Sequence, residues 1–210
     1  MKLTVFGATG GTGREVVRQA LDAGHHVTAV VRDPARLPGS GERLEVVRAD
    51  LDDLASVRTA VAGRDAVLSA LGPRRRADAG VVARLTRTVV GAMEAEGVRR
   101  VLVVSAMPVG PRAEGEGLLD RGVRGVISTV FKEVYADLRV MEDDLARSAT
   151  EWTVVRPPRL QDRPLTGRYR TVVGGFPAKG RFLGRAEVAH AMLAMTGDPG
   201  TVRQGVGIAY

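Results

Sequence analysis

The chain has 210 residues, 44% hydrophobic and 26% charged, which suits a single buried core and excludes a disordered or low-complexity polymer. No run approaches the about 20 consecutive apolar residues of a bilayer-crossing helix, and the absence of cysteine excludes disulfides and thiolate metal sites. The net charge of +7 is spread over scattered arginines, and aromatics make up only 4%, so base-stacking platforms are missing and no nucleic-acid partner is expected.

The three histidines, His25, His26 and His190, are poorly placed to share a metal, and none is expected. A cysteine-free composition fits a cytoplasmic protein. The first strand begins at Lys2, so no leader segment is expected ahead of it. The expected organisation is one domain over residues 1–210, acting as a monomer or weak homodimer without a membrane partner.

The apolar run Lys2–Phe6 reads as a buried strand. Helical periodicity follows from Glu15 to Leu21 and stops at Ala23-Gly24. Between them lies Phe6-Gly7-Ala8-Thr9-Gly10-Gly11-Thr12-Gly13, which places Gly7, Gly10 and Gly13 at a turn from strand to helix. One glycine allows a tight turn, another admits a pyrophosphate close to the backbone, and a third lets helix and strand pack. The helix N-terminus then offers free N–H groups to phosphates. Thr9 and Thr12 add hydroxyl donors, and Gly11 completes the loop. The stretch resembles the cofactor loop of the extended and atypical short-chain dehydrogenase/reductases.

The second strand, Val27–Val31, ends at Arg32-Asp33-Pro34-Ala35-Arg36. An acid at this tip holds the ribose 2′-hydroxyl of NAD, whereas an arginine accommodates the 2′-phosphate of NADP. Arg32, with Arg36 one turn on, points to NADP; Asp33 leaves NAD as a second acceptable cofactor. The third strand, Leu44–Val47, leads to Asp50-Leu51. The family resemblance implies that this pair borders the adenine. Asp52 or Asp53 can equally cap the helix predicted over 54–62.

The fourth strand spans Asp65–Gly72, and its end, Ala70-Leu71-Gly72, is expected over the cofactor's ribose and pyrophosphate. Arg74-Arg75-Arg76 follows on a loop, where it can be solvated or meet an anionic substrate. A helix over 80–96 carries a core stripe of Val82, Leu85, Val89 and Met93. The fifth strand, Arg100–Ser105, precedes a Gly- and Pro-rich loop over 107–125. Strands alternating with helices predict an α/β, Rossmann-type doubly wound parallel sheet. Gly7, Arg32, Asp50, Gly72 and Ser105 would then all lie at the carboxyl ends of strands, where ligands bind.

A helix over 128–148 follows, with a seam of Val130, Val134, Leu138, Met141 and Leu145 and with Lys132, Tyr135, Arg139 and Glu142 on an adjacent face. The sixth strand, Glu151–Arg156, runs into Pro157-Pro158 and resembles the Trp-Thr-x-x-Arg-Pro strand of the atypical reductases and the NmrA-like group. That resemblance implies that Pro157 and its loop run beside the nicotinamide, and that residues 156–184 form a small C-terminal substrate lid. Phe176, Pro177, Phe182 and Leu183 could line it, and Trp152 reads as core. One strand near 169–173, a helix over 185–195 and a last strand over 206–210 complete the chain. In length and layout the whole resembles the biliverdin reductase B and flavin reductase type.

The chemistry is expected at Ser105, whose hydroxyl can meet a substrate carbonyl or the nicotinamide amide. Tyr135 is the second candidate, but four residues on stands Arg139 rather than the lysine of the usual Tyr-x-x-x-Lys pair. Without that pair, the reaction should be one in which hydride transfer suffices. The expectation is NADPH-dependent reduction of a small flavin, quinone or other conjugated, carbonyl-type acceptor. An NmrA-like NADP sensor without catalysis and a specialised biosynthetic ketone or enone reductase are the alternatives.

Overall fold

The computed structural model describes residues 1–37, 41–73, 80–110 and 131–210. The Arg74-Arg75-Arg76 cluster, residues 111–125 of the expected loop and the expected helix start at 128–130 lie outside them. Strands β1 (Lys2–Phe6), β2 (His26–Val31), β3 (Leu44–Arg48), β4 (Ala66–Ser69), β5 (Arg100–Val104) and β6 (Glu151–Arg156) are the six predicted ones. Short strands β7 (Arg159–Gln161) and β9 (Phe182–Gly184) pair with each other, parallel, apart from the main sheet. Strands β8 (Arg170–Val173) and β10 (Gln204–Ala209) extend that sheet. Among the described residues the helices are α1 (Gly11–Asp22), α2 (Leu54–Val61), α3 (Val81–Ala95), α4 (Lys132–Arg147) and α5 (Arg185–Thr196).

The main sheet has the order β3-β2-β1-β4-β5-β6-β10-β8. Every pair in it is parallel except β8 on β10. This is the doubly wound, Rossmann-type arrangement. The order reverses between β1 and β4, and that switch opens a crevice at the carboxyl edge. Central strands such as β1 and β4 are nearly all buried because both faces are covered. On one face, Val16, Val17 and Ala20 of α1 and Val188, Ala191 and Met192 of α5 pack on Leu3, Val5 and Leu68. On the other face, Val57 of α2, Val82, Val89 and Met93 of α3 and Leu138, Met141 and Leu145 of α4 cover Phe6, Val67 and Val103.

The α3 stripe departs from expectation in one place. Leu85 is only half-buried, and Thr86 takes an inward position at 2% exposure. The start of α3 is held from across the sheet face by a buried carboxylate. Asp137 of α4 accepts from Val82 N–H and Ala83 N–H, each at 3.0 Å. It serves as an N-cap delivered by a different helix, because Gly80 at the cap has no side chain. Asp137→Ala should therefore lower the unfolding free energy by about 1–3 kcal/mol, since two buried donors lose their acceptor. Chemical denaturation would show an unchanged midpoint if the cap carried no weight. No helix among the described residues is long and apolar enough to cross a membrane.

Candidate functional site

The loop after β1 is shaped by what its glycines exclude. Gly7 has φ +73, and a Cβ on it would fall 2.5 Å from the Ala70 carbonyl oxygen at the end of β4. The Gly7 carbonyl accepts from Gly10 N–H at 2.9 Å. A Cβ on Gly13 would fall 2.1 Å from that same carbonyl oxygen. The loop therefore closes only where Gly7 and Gly13 both lack side chains, while Gly10 has more room, its Cβ position lying 3.2 Å from Gly7 O. Gly10 caps α1 without a side-chain hydrogen bond. The N–H groups of Gly11, Thr12 and Gly13 thus stand at an uncapped, positive helix end. Thr12 is buried in that first turn, and Thr9 is half-buried at the loop.

Sequence reasoning did not find Arg185 here. Its Cδ lies 2.6 Å from the point where a Cβ on Gly11 would sit, so its stem occupies the space over the first turn of α1. Its guanidinium pairs with Asp162 at 2.8 Å. Residues this far apart in the chain meet because α5 packs across α1, where Gln19 Nε2 donates to Ala186 O at 2.9 Å. No local pattern around Arg185 signals that meeting.

At the β2 tip, Arg32 and Arg36 are exposed and have no ion pair among the described residues. The Asp33 carboxylate is turned into its own short 3₁₀ turn, where it accepts from Ala35 N–H at 3.1 Å. Arg14 of α1 donates to Arg36 O at 3.2 Å and ties this turn to the glycine loop. After β3, Asp50 is exposed and accepts from Asp52 N–H at 3.1 Å, and Leu51 packs half-buried on the α2–α3 core. The cap of α2 is Asp53, which accepts from Ala55 N–H, Ser56 N–H and the Ser56 hydroxyl. The Ser56 hydroxyl, first among these, holds the Asp53 carboxyl below its usual range. At the β4 end, Ala70 is the residue pressed against Gly7. Leu71 is half-buried, and Gly72 has open space where a side chain would be.

Ser105 stands just beyond β5, 7% exposed, with its N–H on Val155 O at 2.8 Å. Its hydroxyl donates to Glu142 Oε1 of α4 at 2.6 Å. Glu142 in turn is gripped by Arg156 at the end of β6, Nη2 to Oε2 at 2.6 Å and Nε to Oε1 at 3.2 Å. Sequence reasoning placed Glu142 on the right helix face but did not connect it to Ser105. The only local signal was that Ser105 and Arg156 end neighbouring strands. Pro157, buried, accepts Met107 N–H at 2.8 Å and so couples the loops after β5 and β6.

Tyr135 shares a face of α4 with Glu142, two turns away. It is half-buried against the core, its ring 6.1 Å from that of Phe131. Burial pushes its phenol above the usual value, away from neutral pH. Arg139, four residues on, is exposed. Trp152 begins β6 at the opposite, amino edge of the sheet and packs with the α2–α4 core.

A cleft of about 450 Å³ is lined by Arg163, Pro164, Thr166, Phe182 and Tyr210. Phe182 meets Tyr210 edge-on at 5.8 Å, and the Arg163 guanidinium lies 4.8 Å above the Phe182 ring. Of the four expected lining residues, only Phe182 is in this cleft. Phe176, Pro177 and Leu183 are buried, because alternation along β9 turns Leu183 inward and Phe176 covers Gly207 of β10. The wall of the cleft is fixed by Glu187 at 0% exposure, which accepts from the Thr166 N–H and hydroxyl and from Gly167 N–H.

The sequence profile of the NAD(P)H-binding family matches residues 7–199. Cinnamoyl-CoA reductase 1 of Oryza sativa subsp. japonica is 36% identical over 129 residues, 55% of this chain and 38% of that one. The chain spans about half the length of the curated relatives it matches. A solved protein of Burkholderia pseudomallei, provisionally named an exported protein, is 29% identical with a TM-score of 0.82, covering 100% of both chains. A wide-type short-chain dehydrogenase/reductase from Veillonella parvula, solved with NADP, is 20% identical with a TM-score of 0.79 and shows the same fold over 100% of this chain and 94% of its own.

Proposed function

The chain belongs to the NAD(P)H-binding family, and from that premise we propose that it is an NADPH-dependent reductase passing hydride to a flavin, quinone or other conjugated acceptor. The fit to a dinucleotide rests on the β1–α1 loop. Its glycines leave a cradle that a Cβ at Gly7 or Gly13 would fill, and the uncapped α1 N-terminus offers N–H groups to an anion. Gly7, Thr9, Gly10, Gly11, Thr12 and Gly13 would hold the pyrophosphate. Asp50 and Leu51 would border the adenine. Ala70, Leu71 and Gly72, with Ser105 and Pro157, would line the ribose and nicotinamide end.

The NADPH preference is supported by Arg32 and Arg36. Both are exposed beside the β2 tip, while the competing acid Asp33 spends its carboxylate on its own turn. A planar guanidinium matches a 2′-phosphate through paired, charge-assisted hydrogen bonds. Arg32→Asp should lower the NADPH-over-NADH preference by about 10- to 100-fold, the worth of one or two hydrogen bonds to a charged group. Steady-state kinetics with both cofactors reads this directly, and an unchanged ratio would remove Arg32 from the site.

One observation carries the acceptor class. The site offers no Tyr–Lys acid: Tyr135 has Arg139 after it and a raised pKa, and the Ser105 hydroxyl is committed to Glu142. A reduced nicotinamide held there would supply the hydride. The protein's own residues supply position, dryness and charge. An acceptor with a delocalised ring system takes the hydride without a protein acid, and water supplies the proton. Residues 156–184 serve as its lid.

The deciding experiment is NADPH consumption followed by absorbance with FMN, with a simple quinone and with neither. Turnover above the blank, and faster than with NADH, is the expected result. NADPH binding without turnover of either acceptor would instead make the chain a sensor or an enzyme for one specialised ketone or enone.

A further inference from the structure

We propose that Glu142 takes the single proton of the Ser105 hydroxyl, so that Ser105 presents only acceptor lone pairs to the site and seats an N–H donor, the nicotinamide carboxamide. This inference rests on the NADPH reading above and sharpens it: Ser105 positions the cofactor and is not the acid of a carbonyl reduction.

A serine hydroxyl has one donor and two acceptor sites, whereas a carboxylate only accepts. The 2.6 Å contact between Ser105 Oγ and Glu142 Oε1 therefore has one direction, and its length is that of a charge-assisted bond. Once the proton points at Glu142, the Ser105 oxygen has only lone pairs left.

Glu142 is not free to turn away. Arg156 holds both of its oxygens, and the two side chains are only 14% and 12% exposed. Arg156 is itself confined. A Cβ on Gly110 would fall 2.7 Å from its Cδ, and one on Gly205 would fall 2.3 Å from its Nη1. The guanidinium thus runs through a slot that exists because both residues are glycines. Ser105 is fixed in turn by its N–H on Val155 of the neighbouring strand. Three side chains and two glycines, from the segment after β5, α4, β6 and β10, hold the direction of one proton.

The chemical consequence is selective. A carbonyl oxygen gaining negative charge would meet lone pairs backed by a carboxylate, which repel it. An amide N–H would find a polarised acceptor at the carboxyl end of β5. The ligand group recognised is therefore the N–H of a carboxamide, and the substrate class is one needing no hydrogen bond from Ser105.

The test compares binding of NADPH with that of its reduced 3-acetylpyridine analogue, in which a methyl ketone replaces the carboxamide. Fluorescence titration of the full chain is expected to give about a tenfold preference for NADPH in the unmodified protein, the scale of one well-placed hydrogen bond. Ser105→Ala should bring that ratio close to one by weakening NADPH, and Glu142→Ala should lower it by freeing the Ser105 proton to meet the ketone of the analogue. In turnover with FMN, Ser105→Ala should raise KM for NADPH more than it lowers kcat. A preference that survives Ser105→Ala overturns the proposal, as does a loss confined to kcat, the signature of a missing acid. Ser105→Ala removes one oxygen only, so it decides the matter even if Glu142→Ala does not fold. An unmodified protein that binds NADPH without preferring it over the analogue sinks this inference alone. An unmodified protein that binds neither cofactor sinks the NADPH reading, and this inference with it.

Discussion

Gly13→Ala is expected to lower NADPH affinity by at least about 100-fold while costing about 1–3 kcal/mol of stability, the scale of a small-to-large change in a packed site. The reason is geometric. The new Cβ would sit 2.1 Å from the Gly7 carbonyl oxygen, a distance no real contact tolerates. That carbonyl cannot retreat freely. It already accepts from Gly10 N–H at 2.9 Å, and Gly7 itself is pressed against the Ala70 carbonyl and held at φ +73. Relief must come from moving the first turn of α1 away from β1, which displaces the N–H groups of Gly11, Thr12 and Gly13 from the anion they would hold. Gly10→Ala is the graded comparison. Its Cβ meets Gly7 O at 3.2 Å, so a few tenths of an ångström suffice and the loss should be about tenfold or less. Isothermal titration with NADPH, alongside thermal unfolding, separates the two effects. Equal binding by Gly13→Ala and the unmodified protein would show that this loop is not the cofactor seat.

Arg100→Met is expected to be the most destabilising of the substitutions considered, at about 3–5 kcal/mol, because it strips a buried charge from a fully bonded cage. Arg100 is 7% exposed, at the start of β5. Its Nε donates to Thr196 O, Nη1 to Glu151 O and the Thr153 hydroxyl, and Nη2 to Met195 O and the Thr201 hydroxyl. One guanidinium thus joins β5, β6, the C-terminal end of α5 and the turn before β10. Two of its acceptors are last-turn carbonyls of α5, where a positive charge is favoured by the helix dipole. Methionine keeps most of the stem and none of the donors, so five acceptors lose a charged donor at once, although Met195 O keeps the Asp198 N–H and the Thr201 hydroxyl. At about 2–4 °C per kcal/mol for a chain of this size, thermal unfolding should shift down by about 10 °C. A shift of a degree or two would mean that water replaces the guanidinium without loss. The cage lies at the amino edge of the sheet, remote from the glycine loop, so cofactor affinity should hold where the variant is folded.

These two expectations mark the boundary of what the chain's letters disclose. The β1–α1 loop is local. Strand, glycine triplet and helix follow one another within about a dozen residues, so periodicity and glycine spacing are enough to place them. The six alternating strands were equally legible, because each is a short run dominated by apolar and β-branched residues. Even the occupation of Asp33 and Asp53 is a local matter, since each accepts from N–H groups two or three residues ahead.

The cage around Arg100 was invisible for the opposite reason. Its partners come from three segments, up to 101 residues away, and an arginine opening a strand carries no mark of burial. The same holds for Asp137 capping α3 across 55 residues, for Arg185 over Gly11, and for Ser105, Glu142 and Arg156. The β7–β9 pair escaped because runs of three residues are too short to show a period. The split between Phe182 and Leu183 was hidden as well, because alternation, not hydrophobicity, decides exposure: Phe182 faces the cleft and Leu183 the core.

The sequence by itself therefore determined the α/β class, the order of the main elements and the place of the glycine loop between β1 and α1, since each depends on patterns within a few residues. Only the tertiary structure decided which polar side chains work together. A hydrogen bond is set by distances of about 3 Å between atoms, and the sheet order and the packing of α4 and α5 bring those atoms together from remote parts of the chain.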